Sequence, residues 1–207
     1  QGDKKYIICN ADEGDPGAFS DRYLLEEQPH RVLGGMLAAG LACGASHGFL
    51  YIRAEYPEAM KLVEHAIVQF NREILPECDF QFHIIPGAGS YVCGEETALL
   101  NSIEGLRPEV RVRPPYPAQE GLWGKPTLVS NVETLAAIPW IIEHGGEAFA
   151  AVGNGRSSGS KLICLDHSFE HPGVYEVDMG LPLDDARLYD ALWLAVMEND
   201  VASLDEG

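Results

Sequence analysis

Residues 86–97 read Pro86-Gly87-Ala88-Gly89-Ser90-Tyr91-Val92-Cys93-Gly94-Glu95-Glu96-Thr97, and what flanks them decides the fold. Before them, Phe80, Phe82 and Ile84 alternate with polar residues at the period of a strand; after them, Ala98, Leu99, Leu100 and Ile103 open a helix. A strand running through a glycine-rich turn into a helix is where an α/β protein holds a phosphate or a cofactor. Glycine lets the backbone come close, and the free N–H groups of the helix point at the ligand. Two features set this turn apart from a plain phosphate cradle. Gly87-x-Gly89 is followed by four residues before Gly94, which is not the dinucleotide fingerprint G-x-G-x-x-G. The helix also opens on Glu95-Glu96, two carboxylates that repel a phosphate, so the pair either complements the helix dipole or serves a different ligand.

Working toward the N-terminus, Pro57–Leu75 has the clearest helical pattern, with Leu62, Val63, Ala66, Ile67, Phe70 and Ile74 on one face. Residues 48–53 read as a strand ending in Arg53-Ala-Glu55, and Pro29–Ala45 as a helix whose glycines and alanines suit close packing. Residues 6–10 form a short apolar strand that runs into Asn10-Ala-Asp-Glu-Gly-Asp-Pro-Gly17. A strand finishing in Asn, Asp and Glu places those groups at the carboxyl edge of a sheet, where α/β folds bind ligands; Gly14 and Pro16-Gly17 also suit an ordinary turn. The βαβ series predicts an α/β fold, a Rossmann-like parallel sheet with flanking helices.

Toward the C-terminus, residues 105–127 hold Pro108, Pro114, Pro115, Pro117 and Pro126, too many for a regular element. This long loop carries Arg111, Arg113, Tyr116, Trp123 and Lys125, a cluster of cations and aromatics that favours a functional role. A helix spans Asn131–His144, capped by Ser130 or Asn131 and either bent or started afresh at Pro139. Gly153–Ser160 reads as a linker, which places a first domain at 1–152 and a partial second at 160–207. The second contains short strands at 162–165 and 174–177 and a helix at 183–197.

Composition narrows the function. A formal charge of −18 over 207 residues excludes nucleic acid and an anionic membrane surface as partners. No apolar run approaches a membrane span, so no membrane insertion is expected. Five scattered cysteines without a C-x-x-C leave no zinc knuckle or iron–sulfur loop in this chain and suit a reducing cytoplasm. No nucleophile–base pair stands in a recognisable context, and Lys125 lacks a P-loop turn. The acids Asp12, Glu13 and Asp21 lack the alternation of a calcium loop, and no metal site is assigned, although a Mg²⁺-dependent phosphotransferase is a competing reading. The polar loops together suit a large heterocycle with hydroxyls: carboxylates for ribose or ring N–H groups, Arg for phosphate, Tyr for stacking.

These segments resemble one known family. Asn10-Ala-Asp-Glu-Gly-Asp-Pro-Gly17 with Asp21-Arg22, Gly87–Leu100, Arg113-Pro-Pro-Tyr-Pro-Ala118, Gly124-Lys-Pro-Thr127 and Asn131-Val-Glu-Thr-Leu135 are similar, in order, to motifs of the NADH-binding flavoprotein subunit of respiratory complex I. The related subunits of NAD-reducing hydrogenases and NAD-dependent formate dehydrogenases share them. The resemblance implies FMN contacts at Asn10, Asp12, Glu13, Tyr91, Gly94, Glu95, Glu96, Ser130, Asn131 and Thr134. It places NAD(H) at Asp15, Arg113 and Tyr116, with Glu96 as the catalytic residue between the two cofactors. Asp15, Arg113, Tyr116 and Ser130 stand where the family has Glu, Lys, Phe and Asn. The family's first glycine-rich loop is expected before Gln1. Its [4Fe–4S] motif is expected after Gly207, outside this chain, and residues 160–207 resemble the start of a β-grasp-like (SLBB-type) domain. The implied function is hydride transfer from NADH to FMN, with onward one-electron transfer to iron–sulfur partner subunits of a cytoplasmic complex. The alternative is a truncated, non-catalytic copy serving as an assembly piece.

Overall fold

The computed structural model describes residues 4–167, 169 and 171–181, so the helix expected at 183–197 lies outside the described residues. Its first strand, β1 (Tyr6–Ala11), is an apolar run buried on both faces. There follow α1 (Ser20–Glu27), α2 (Pro29–Cys43), β2 (His47–Ile52), α3 (Pro57–Glu73) and β3 (Gln81–Pro86). Next come α4 (Glu96–Ile103), the Pro-rich loop, β4 (Thr127–Asn131) and α5 (Val132–His144). The four strands form one parallel sheet in the order β3-β2-β1-β4. This is the α/β, Rossmann-like architecture expected from the sequence, with the apolar strands that a doubly covered parallel sheet requires.

Alternation along the strands divides the core. Tyr6, Ile8, Phe49 and Tyr51 pack with Leu99 and Leu100 of α4 and with Leu122 of the Pro-rich loop. Their neighbours Ile7, Cys9, Leu50 and Ile52 are fully buried on the opposite face. Both long helices begin with proline at the first turn, where no N–H is needed. Helix α2 ends at Gly44, whose φ of 73° is the left-handed cap glycine adopts readily. The small residues of α2 have the packing role expected of them, with a partner added. A Cβ on Gly40 would lie 2.5 Å from the Phe80 ring, and one on Gly35 would lie 1.8 Å from the backbone oxygen of Leu135 in α5.

Around the parallel sheet, one strand and one helix escape the sequence reading. Residues 127–131 are a strand, β4, so the helix begins one residue later than expected, at Val132, with Asn131 Oδ1 accepting the Glu133 N–H at 2.9 Å. Helix α1 is likewise unannounced, because its first N–H groups are bonded from a distance by Glu13 rather than by a neighbouring cap.

The chain divides into two compact units, Gln1–Trp140 and Ile141–Gly207. In the second, α6 (Gly146–Ala151) precedes a tight hairpin of β5 (Gly153–Asn154) and β6 (Ser157–Ser158), where the sequence suggested a linker. Asn154 Oδ1 accepts the N–H groups of Arg156 and Ser157 at 3.1 Å, closing that turn. Strands β7 (Ser160–Leu165) and β8 (Gly173–Asp178) then pair antiparallel.

Candidate functional site

All four strands are parallel, so their C-terminal ends share one edge of the sheet. The loops after β1 and β3 leave from that edge, as does the direct β4–α5 junction at Asn131. The Pro-rich loop, which the sequence reading also placed there, instead enters β4 at its N-terminal end. The chain moves from β1 outward to β2 on one side and to β4 on the other. The strand order therefore reverses between β1 and β4, and the crevice outside such a reversal is where open α/β sheets bind ligands. Asn10 and Asn131 are register partners at that point.

Asn10 brackets the two acidic loops. Its Nδ2 donates to the Gly94 carbonyl at 2.9 Å, and its Oδ1 accepts the Asp12 N–H at 3.2 Å. The loops lie so close that a Cβ on Gly94 would stand 3.2 Å from the Asp12 carbonyl oxygen. Asp12 itself is sealed in, its side chain 6% exposed, with Arg53 Nε 3.9 Å from Oδ1. Its Oδ2 is buried without a hydrogen-bond partner among the described residues. Burial pushes the Asp12 carboxyl above its usual range, against the pull of the Arg53 guanidinium. A buried acceptor left unpaired fits a ligand that brings hydroxyl or N–H donors.

Glu13 is committed elsewhere. Its Oε1 accepts the Ser20 hydroxyl at 3.2 Å and the Asp21 N–H at 3.1 Å, and its Oε2 accepts the Arg22 N–H at 3.3 Å. It thus acts as the cap of α1. Arg53 reaches the Glu13 carbonyl, so the end of β2 supports the loop after β1. The sequence reading used the polar end of β1 as a signal; Arg53-Ala-Glu55 at the end of β2 is the same signal, and it identifies this support.

Tyr91 crosses to the first loop: its hydroxyl donates to Asp15 Oδ1 at 2.7 Å, and its ring lies over Gly14, where a Cβ would meet Tyr91 Cδ2 at 2.9 Å. The Asp15 hydrogen bond and charge raise the Tyr91 phenol above its ordinary value.

The Glu95-Glu96 pair has the helix-start role that the sequence suggested, together with an engagement by Arg113 that the sequence did not announce. Glu95 caps α4, its Oε2 accepting the N–H groups of Thr97 and Ala98 at 2.8 and 2.9 Å. Its other oxygen receives Arg113 Nη2 at 2.6 Å, while Arg113 Nη1 reaches Glu96 Oε1 at 2.6 Å. One guanidinium thus spans both carboxylates through two separate nitrogens, where a lysine would have to serve both from a single ammonium. Burial works to raise the Glu95 carboxyl, but the hydrogen bonds from Thr97 and Ala98 and the Arg113 charge outweigh it and hold it below its usual value.

The remaining candidates are less closely engaged. Asn131 Nδ2 donates to the buried Asp21 at 2.8 Å, tying β4 to α1. Ser130 is half-buried opposite Cys9, and Thr134 is exposed on the first turn of α5. The Tyr116 ring is 56% exposed, with its backbone N–H bonded to Gln119. A cavity of about 500 Å³ opens between α4 and the Pro-rich loop. Its lining includes Asn101, Arg111 and Trp123 together with Thr97, Val112 and Pro115, the last three neighbours in sequence of Glu96, Arg113 and Tyr116, but none of the candidates themselves. Among the described residues no three His, Cys, Asp or Glu side chains converge on a metal position. Asp12, Glu13 and Asp21, the carboxylates of the phosphotransferase reading, each face a different environment.

Comparison with known proteins agrees with this layout. Residues 1–140 match the family model described as the Nuo51 FMN-binding domain. The mitochondrial NADH dehydrogenase (ubiquinone) flavoprotein 1 of Dictyostelium discoideum is 41% identical over 86% of this chain and 39% of its own length. The NADP-reducing hydrogenase subunit HndC of Solidesulfovibrio fructosivorans is 47% identical over 87% of this chain and 38% of its own. The crystal structure of an NAD+-reducing [NiFe]-hydrogenase in the air-oxidized state superposes with a TM-score of 0.82 at 43% identity, covering 87% of this chain and 31% of that one. The chain thus spans less than half the length of these relatives. With its motifs in order, the sheet they punctuate and a family match over its first unit, the chain belongs to the Nuo51 FMN-binding domain family.

Proposed function

We propose that this chain is the FMN- and NADH-binding module of an NADH:acceptor oxidoreductase, part of a larger electron-transfer assembly. The observation that carries this reading is the Arg113 bridge across Glu95 and Glu96, set at the same sheet edge as the unpaired Asp12 oxygen. FMN, when bound, supplies the chemistry, accepting a hydride from NADH and passing electrons on singly to iron–sulfur clusters.

The chain's own residues bind and orient. Asp12 would give its unpaired oxygen to flavin hydroxyl or N–H donors, and Asn10 keeps the first two loops together around it. Glu13 supports that loop through α1, and Gly94 permits the close approach. Ser130, Asn131 and Thr134 contribute from the β4–α5 junction. Arg113 is charge-paired with both carboxylates; an anionic group of the dinucleotide would compete for its guanidinium, and Glu96, the more exposed of the two, would be the carboxylate available between the two cofactors. Asp15 and Tyr116 line the dinucleotide side, and Tyr91, bonded to Asp15, stands on the flavin side next to it. Holding two reactants in a fixed orientation is where most of the rate arises in such a site. Strands β7 and β8 begin a β-grasp-like second domain. The [4Fe–4S] cluster belongs to the larger protein, and the assembly is cytoplasmic with iron–sulfur subunits as partners. No helix among the described residues is long and apolar enough to cross a membrane.

The test is to load the protein with FMN and follow NADH-dependent ferricyanide reduction. Tight flavin binding with no reduction by NADH would refute the NADH half of the proposal, and failure to bind flavin under any loading condition would refute both halves.

A further inference from the structure

Thr97 is 2% exposed, and its hydroxyl makes two bonds. It donates to Glu95 Oε2 at 2.5 Å and accepts the backbone N–H of Arg111 at 2.9 Å. A hydroxyl has one proton, so with that proton directed at Glu95 its lone pair is left for the loop. Two residues further on, the same loop delivers Arg113 to the other oxygen of Glu95 at 2.6 Å. The result is a closed ring from Glu95 through Thr97 and residues 111–113 back to Glu95.

The Arg111 side chain fixes the loop at the ring's edge. Its Nε donates to Asn101 Oδ1 at 2.7 Å, its Nη2 to Glu104 Oε2 at 2.7 Å and its Nη1 to the Gly121 carbonyl at 3.2 Å. Glu104 also takes the Trp123 N–H at 2.8 Å, so both ends of the Pro-rich loop are tied to α4. A valine would fill the Thr97 site equally well. What it would lack is the hydroxyl's two bonds, and those are the bonds that set loop and helix in register.

We propose that Thr97 is a positioning residue of the dinucleotide site: its hydroxyl locks the Pro-rich loop in register with α4, so that Arg113 meets Glu95 and Glu96 together. This rests on the function proposed above and deepens it. Thr97 touches neither cofactor in this assignment; it acts through Glu95 and Arg113. The charged groups facing Glu95 are Arg113 from the loop and, across that guanidinium, Glu96 from α4.

The decisive measurement needs no flavin. In protein labelled with ¹³C-glutamate, Glu95 (assigned through Glu95→Gln) should titrate below the ordinary carboxyl value. Thr97→Val should raise that midpoint by about one pH unit, the size expected for one lost hydrogen bond to the charged form, and Thr97→Ser should restore it. The Arg113 side-chain N–H signals should be protected in the unaltered and Ser proteins and exchange-averaged in the Val variant. In the FMN-loaded protein, Thr97→Val should raise KM for NADH by roughly 10-fold with kcat within about twofold, the pattern of lost binding rather than lost chemistry. Unchanged Glu95 titration and Arg113 signals in the Val variant would overturn the proposal, and an unchanged KM would overturn its link to the dinucleotide. If Thr97→Val does not fold, the Thr97 hydroxyl proton of the unaltered protein decides: slow exchange is expected, and free exchange with water would overturn the proposal. If NADH does not reduce the flavin even in the unaltered protein, the proposed function fails while the titration still judges Thr97.

Discussion

The hydroxyl of Tyr91 donates a 2.7 Å hydrogen bond to Asp15, joining the loop after β3 to the loop after β1 across 76 positions of sequence. The carboxylate favours the protonated phenol, so the Tyr91 phenol should titrate above free tyrosine. Asp15→Asn should lower the Tyr91 midpoint, read by ultraviolet difference absorption against Tyr91→Phe. The sign follows from linkage: a group raised in the folded state contributes stability below its unfolded value and loses it as pH rises through the folded value. An Asp15→Asn protein with an unmoved Tyr91 midpoint would show that this bond does not persist in solution.

Asp12 sets stability against binding. Its side chain is buried with one oxygen unpaired, so the flavin-free protein carries a desolvated carboxylate. Asp12→Asn should raise the flavin-free Tm by about 2–4 °C, the equivalent of roughly 1 kcal/mol in a domain of this size. FMN affinity should fall by at least about 10-fold, because the Asn presents one acceptor oxygen where Asp presents two. Calorimetry and flavin-fluorescence titration on the same pair of proteins check both halves.

Glu95→Ala removes the cap of α4 and should cost about 1 kcal/mol in urea unfolding at neutral pH. The Glu95 carboxyl is depressed in the folded state, so its contribution is fully present above the ordinary value of 4.5 and is lost as pH falls through the lower folded value. Wild-type and variant stabilities should therefore converge toward acid. Parallel curves across that window would contradict the assignment.

Gly35→Ala should be among the most damaging single changes. The added Cβ would lie 1.8 Å from the Leu135 carbonyl oxygen, backbone that cannot yield without moving α5. Overpacking of this kind costs on the order of 3 kcal/mol. Gly34→Ala, whose Cβ would meet only a Pro139 side-chain carbon at 3.7 Å, should be nearly neutral and serves as the control.

His47 Nδ1 and His83 Nε2 lie 3.1 Å apart, and His83 stacks on Phe49. Burial, then the neighbouring His47, holds the His83 imidazole below 6.5. A histidine held neutral contributes stability that is full above its unfolded value and is lost as pH falls through the lower folded one. His83→Gln should flatten that acid loss, seen as a smaller drop in the urea midpoint between about pH 7.5 and pH 5.5.

Some of this was open to reading in the sequence, and the reasons are local. Strands β1, β2 and β3 and helices α2 and α3 have apolar runs or helical spacing that each element needs for its own burial. Glu95 stands at a helix start, where an acid suits the dipole, so one of its roles was visible. Strand β4 was not visible, because its five residues pass into α5 without a break and take their strand character from pairing with β1. Helix α1 was hidden because Glu13, which bonds its first N–H groups, lies eight and nine positions away from them. The Arg113 bridge joins groups 17 and 18 positions apart through a proline-rich segment whose path no periodicity describes.

The pairing of Asn10 with Asn131 also bears on how the protein is made. Residues Tyr6–Ala11 are made before both of the strands that flank them, His47–Ile52 on one side and, about 120 positions on, Thr127–Asn131 on the other. For the whole interval of synthesis between those segments, the nascent chain carries a sheet whose innermost strand has one edge unfilled. Long-range pairings of this kind form late and leave backbone available to wrong partners meanwhile. A nascent polypeptide arrested before residue 127 is therefore the species most prone to aggregate, and the one a cell has most reason to shield.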